Sequence, residues 1–351
     1  MLHSLLFAAL AAATPVAPAA RSDTMSMQGA MPHITVTVDS AQSRIIVTAG
    51  PYDLPDMAGM NMEHMEHGAQ DVLRFAWPVD GYLRGFWVEM RDAHGNPLPR
   101  SILHHLIGVN FDRRQLVYHS VERLFGWGAE TDKVVLPGGL GVPLPKGDHL
   151  GVYAMFHNET GKAITGAYLR VILPYIPNRG NRVTSVYPFY VDVNNHIGGV
   201  TTFDVPPGRS EHSYEFELPV GVRMIGIGGH LHDYGSYVEL QDAASGKVLA
   251  RLSAQRDAEG HVSGVGRFMY GYNTDALHLL PHHPYRVIAV YDNPTKATIP
   301  DGGMGHINGA VIPDDPSKWP ALDLKDPLVR KDIEALPIMK DMGPGAGHGR
   351  R

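Results

Sequence analysis

The chain is punctuated too often for long helices. Its 351 residues include 39 glycines and 27 prolines, and the stretches between them are short and rich in Val, Ile, Tyr and Phe. Proline breaks a helix interior and glycine weakens one, whereas β-branched and aromatic residues suit a pleated, half-buried surface. Such spacing predicts many short strands joined by turns. ITVTVDS (34–40) and SRIIVTAG (43–50) read as a first hairpin. GYLRGFWVEMRD (81–92), the turn residues His94-Gly95-Asn96 and ILHHLIGVNFD (102–112) continue the rhythm, and HLGVYAMFHN (149–158) with AYLRVILPY (167–175) completes one sandwich. PYIPNRGNR (174–182) reads as a linker. VTTFDV (200–205), SYEFELP (213–219), VRMIGIGGHLHDYG (222–235), SYVELQD (236–242) and YRVIAVYDN (285–293) then supply a second sandwich. A helical pattern falls in LKDPLVRKDIEAL (324–336).

The expected organisation is therefore an all-β pair of tandem antiparallel sandwiches, 33–178 and 179–312, followed by an extended, partly helical tail at 313–351. LLFAALAAATPVAPAA (5–20) is an apolar run ending in small residues before the polar RSDT, the pattern of a secretory signal peptide over 1–20. A flexible segment, 21–32, would follow it. No later stretch is apolar and long enough to span a bilayer as a helix, so the expected product is exported, to the periplasm or beyond the cell. A net charge of −6 argues against a nucleic-acid partner.

Cysteine is absent, whereas histidine reaches 20 and methionine 15. Thiolate zinc sites, iron–sulfur clusters and blue-copper centres are thereby excluded, and imidazole with thioether is a ligand set that favours copper. His230-Leu231-His232 places two imidazoles at i and i+2, on one face of a strand. Met304 lies in DGGMGHINGA (301–310), a glycine-rich stretch that reads as a loop, where a thioether is less easily explained as core filler. His306, two residues on, is open as a competing ligand, a group supporting the ligands, or neither. His104 and His105 are adjacent and would face opposite ways in a regular strand, so joint ligation needs an irregularity such as a bulge. His157 stands at the end of another strand, and three imidazoles suit zinc as well as copper. Met57, Met60, Met62 and Met65, with His64 and His67, form a soft-ligand insertion (57–68) suited to accessory, transient copper binding. Hydrolase signatures are missing: there is no nucleophile elbow, phosphate-cradling glycine loop or HExxH.

In order along the chain, these elements resemble the copper type II, ascorbate-dependent monooxygenases, the family of peptidylglycine α-hydroxylating monooxygenase and dopamine β-monooxygenase. ILHHLIGVNFD is similar to the family's paired-histidine motif and FGWGAETDKVVLPGGLGVPLPKGD (125–148) to the segment that follows it. GVYAMFHN looks like the strand of the third histidine and GGHLHDYGSYVEL like the His-x-His strand, with Met304 where the thioether is expected. The resemblance covers roughly 80–312. It implies two jelly-roll-like sandwiches with one copper each. His104, His105 and His157 would hold the electron-transfer ion, and His230, His232 and Met304 the ion that works on dioxygen. It further implies hydroxylation of a C–H bond in a small organic or peptide-like substrate, with O2 as oxidant and ascorbate or a similar reductant. Gly305, His306, Ile307 and Asn308 depart from the polar residues that peptide-amidating members carry after the methionine, so no substrate carries over. The alternative reading of the same ligands is a non-catalytic copper-binding, storage or delivery protein, working with a copper chaperone or acceptor.

Overall fold

A computed structural model describes residues 32–58, 72–128, 131, 133–180, 182–195, 197, 201–257, 261–271 and 277–336. The signal-peptide and 21–31 readings, most of the Met/His insertion and the tail beyond 336 lie outside the described residues. Strands dominate, as the punctuation predicts. His33–Asp39 and Arg44–Leu54 pair antiparallel from His33↔Gly50 to Asp39↔Arg44, with Ser43 turning the chain at φ 50°. Along the second of these strands Ile45, Val47 and Ala49 are buried while the residues between them are half-buried, the period of two that makes one face of a sheet a core.

The first half is a sandwich of two sheets. Arg44–Leu54, Gly85–Arg91 and Ile164–Pro177 belong to a nine-stranded sheet. The other sheet runs in the order Leu73–Ala76, His149–Phe156, Leu103–Arg114, Val121–Gly128. Ile45, Val47, Trp77, Leu106 and Leu150 fill the space between, each at most 1% exposed. The second half repeats the plan. Tyr187–Asp192, Gly305–Pro313, Val222–Leu231 and Arg267–Met269 form one sheet, and Gly208–Phe216, Tyr285–Asn293, Gly235–Asp242, Val248–Arg256 and Val262–Val265 the other. Val191, Val222, Val238, Leu240 and Ile307 are buried between them. The molecule is thus all-β, two tandem jelly-roll-like antiparallel sandwiches.

Two expectations change. The 174–182 stretch is not a loose linker: its strand continues to Pro177, with Tyr175 opposite Leu83. Thr184–Ser185 then pairs in parallel with Leu140–Gly141 of the first half. The halves also exchange core residues, since Ile225 and Ile312 pack in the first core and Leu116 and Tyr118 in the second. DGGMGHINGA is not a loop either; Ile299–Gly303 and Gly305–Pro313 are strands meeting at Met304. Its glycines serve close packing rather than turning: a Cβ on Gly305 would stand 2.5 Å from the Ala289 Cβ, and one on Gly309 2.2 Å from the Gly226 carbonyl oxygen.

The predicted helix forms at Pro327–Ala335, with Pro327 in its first turn and the Asp326 carboxylate accepting the Leu328 N–H at 2.8 Å. It packs on the four-stranded sheet of the first half beside Val109, Phe111 and Val121. Among the described residues no helix is long and apolar enough to cross a membrane.

Candidate metal centre

The paired histidines stand on the predicted irregularity. Leu103 pairs with Phe156 and His105 with Met155, so the register shifts by one and His104 is the extra residue of a bulge. Their rings lie side by side, with centroids 4.1 Å apart, instead of on opposite faces. The His157 N–H donates to the Ile102 carbonyl at 2.8 Å, which brings its ring to 6.3 Å from that of His104. The His157 Nε2 is also 3.4 Å from the Glu159 carboxylate.

The other histidines come from the second half. His230 and Leu231 end the Val222–Leu231 strand, with Leu231 turned into the core and His230 buried at the junction of the halves. Gly229 precedes them because a Cβ there would meet Val238 Cγ1 at 2.6 Å. His306 is directly across the ladder from His230, and their rings stack at 5.0 Å. His232 lies one residue beyond the strand, its ring 5.3 Å from that of His230.

One ring nitrogen each from His105, His230 and His232 all lie within 4.8 Å of one another. Metal–imidazole bonds of about 2.0–2.1 Å put nitrogens on a shared ion no more than about 4 Å apart, so modest ring rotations close the set on one ion. Sequence grouped His105 with His104 and His157, and His230 with His232 and Met304. The fold sets the two groups against each other: His105 is 4.1 Å from His104 and 5.4 Å from His230, centroid to centroid. Met304 is tied in through its backbone. Its N–H donates to the Tyr291 hydroxyl at 2.9 Å, its carbonyl accepts from that hydroxyl, and the His232 N–H donates to the same oxygen at 3.1 Å.

Burial holds the His105 pKa well below its ordinary value, and the neighbouring His230, His104, His232 and His306 push in the same direction. Burial thus favours its neutral form, the form that binds metal. Behind the cluster, Asp192 faces His306 across the ladder and takes hydrogen bonds from the Tyr190 hydroxyl at 2.9 Å and the Asn194 N–H at 2.7 Å. Burial raises the Asp192 pKa to about 6. Tyr190, Asp192 and Tyr291 carry no sequence signal of their own; their place depends on strand register. Of the accessory set, Met57 is described, its N–H donating to Asn158 at 2.7 Å beside His157. Met60, Met62, His64, Met65 and His67 lie outside the described residues. Histidines without a telling spacing have other work: His119 pairs with Asp326, His149 with Asp112 and His283 with Asp242.

No protein-family model matches the chain, and no curated protein matches it. Among solved structures, it is similar to the STIV MCP at 9% identity, over 80% of this chain and 96% of that one, with a TM-score of 0.36. The infectious bursal disease virus VP2 subviral particle follows at 11% identity, 82% and 74% coverage and a TM-score of 0.24. A putative secreted protein from Parabacteroides distasonis ATCC 8503 gives 8%, 78%, 91% and 0.16. Scores this low bear on neither site nor activity. Fold and site together define a double β-sandwich with a histidine cluster at the junction of its halves.

Proposed function

We propose that the chain is an exported copper protein that hydroxylates a C–H bond of an organic substrate with O2 and an ascorbate-type reductant. The observation that carries this reading is the approach of His105, from one half, to His230 and His232, from the other. Imidazoles in a chain without thiols suit copper, which would supply one-electron redox chemistry toward dioxygen. The residues have distinct tasks. The bulge at His104 turns two adjacent rings the same way, burial favours the neutral form of His105, and Tyr291 fixes the backbones of His232 and Met304 to one oxygen. His104 and His157 stand ready beside the cluster for a second ion. The test combines copper analysis with ascorbate-dependent oxygen uptake. Copper binding with substrate-coupled uptake is expected, with His105→Ala and His232→Ala each losing both; a pure protein that takes up no copper overturns the proposal.

The Met57 contact beside His157 favours a second reading, copper storage or delivery fed by the 57–68 segment. It predicts copper transfer to an acceptor, lost on deletion of 57–67, without coupled oxygen uptake.

A further inference from the structure

We propose that Tyr190 is a redox-active tyrosine that relays single electrons between the histidine cluster and the protein surface, passing its phenolic proton to Asp192; this rests on the copper reading above. The rings form a continuous path. From His230 to His306 the centroids are 5.0 Å apart, from His306 to Tyr190 5.0 Å, from Tyr190 to Tyr118 6.4 Å, and from Tyr118 to Tyr214 5.7 Å. Tyr118 is 2% exposed, whereas Tyr214 stands half-buried on the Gly208–Phe216 strand and reaches solvent. The path therefore begins at a metal ligand and ends at the surface.

Distance alone does not make a tyrosine redox-active. A phenol that loses an electron becomes a strong acid, so oxidation is accessible where a base is already in place to take the proton. Tyr190 has one: its hydroxyl donates to the Asp192 Oδ2 at 2.9 Å. The carboxylate is held there by the Asn194 N–H on its other oxygen, and the Asp192 main chain is clamped to the Tyr118 hydroxyl, which accepts the N–H at 2.8 Å and donates to the carbonyl at 3.0 Å. A main-chain carbonyl is a far weaker base than a carboxylate, so the Tyr118 ring bridges and Tyr190 carries the charge.

The step balances. A copper ion held by His105, His230 and His232, once oxidised by dioxygen or peroxide, would be the one-electron acceptor, reached from Tyr190 through His306. Tyr190 gives up that electron and transfers its hydroxyl proton to the Asp192 carboxylate, leaving a neutral phenoxyl radical beside a carboxylic acid. An external one-electron reductant of the ascorbate class then returns an electron through Tyr214 and Tyr118, and the proton goes back to the phenol. The relay would reduce the site in turnover and drain an oxidising equivalent when substrate is missing.

The test uses copper(II)-loaded full-length protein treated with hydrogen peroxide without substrate, freeze-quenched and read by electron paramagnetic resonance. The copper(II) signal before peroxide reports on the site itself. A radical whose spectrum narrows on incorporating ring-deuterated tyrosine is expected in the wild type. It should vanish in Tyr190→Phe, which keeps the ring and the copper signal, and on later addition of ascorbate it should persist longer in Tyr214→Phe, where the exit is cut. Copper bound with no tyrosyl radical, or an undiminished radical in Tyr190→Phe, overturns the relay and leaves the copper reading standing. Absence of the copper signal before peroxide overturns both.

Discussion

A methyl group on Gly229 would stand 2.6 Å from Val238 Cγ1, 3.0 Å from Val265 Cγ1 and 3.1 Å from Leu252 Cδ1, all in the facing sheet. The absence of a side chain lets the strand lie close enough to that sheet to hold His230 at the junction. Gly229→Ala should cost about 1–3 kcal/mol by overpacking and weaken copper binding by displacing His230. Thermal melting and copper titration check both, and an unchanged affinity would show that the glycine serves only the core. His105 predicts a pH dependence. Its folded pKa lies below the unfolded value near 6.5, so the unfolded chain binds the extra proton first. Stability from this residue is present above the unfolded value and falls as pH drops toward the folded one. Melting of the metal-free protein between pH 7.5 and 5 should show a decline that is shallower in His105→Gln. The need for a bulge at His104 was legible in the sequence, because two adjacent histidines cannot share an ion from a regular strand. The roles of Tyr291 and Asp192 were not, because each depends on a register that no local pattern records.

At the scale of elements, the C-terminal helix is fastened by one buried carboxylate. Asp332 is paired with the Arg123 guanidinium at 2.6 and 2.9 Å and accepts the Val121 N–H at 3.1 Å, and the two side chains are 1% and 14% exposed. Removing one partner of such a pair leaves the other buried without compensation, which costs about 3–5 kcal/mol. Asp332→Asn should therefore lower the melting temperature markedly, while Asp332→Leu combined with Arg123→Met recovers much of the loss by replacing the pair with apolar volume. A double variant no better than the single one would mean that the Val121 contact, not the ion pair, dominates. The helix itself was readable from its spacing, its Asp-Pro start and the lack of glycine. The strands after residue 298 were not, because the glycines of DGGMGHINGA signal a turn in isolation. Their use in close packing against Ala289 and Gly226 appears only once the sheets are assembled.

At the scale of the whole molecule, two sandwiches are joined by exchanged core residues and by a histidine set drawn from both. The resemblance implied one ligand set in each half, and spacing along a strand reports only what near neighbours share. It does not report which strand ends meet across an interface. An ion held by His105 on one side and His230 and His232 on the other couples the unfolding of the halves. A ligand that binds only the folded form stabilises it by about 2.7 kcal/mol when its concentration is 100 times Kd. If that ion bridges the junction, neither half unfolds without releasing it, so both gain. Calorimetry with copper should then show a single transition shifted upward, against a broader or divided one without metal. His105→Ala and His230→Ala, in different halves, should each abolish the shift entirely. A shift that survived in either variant would place the ion within one half, and the junction would be a contact between two independently metallated sandwiches.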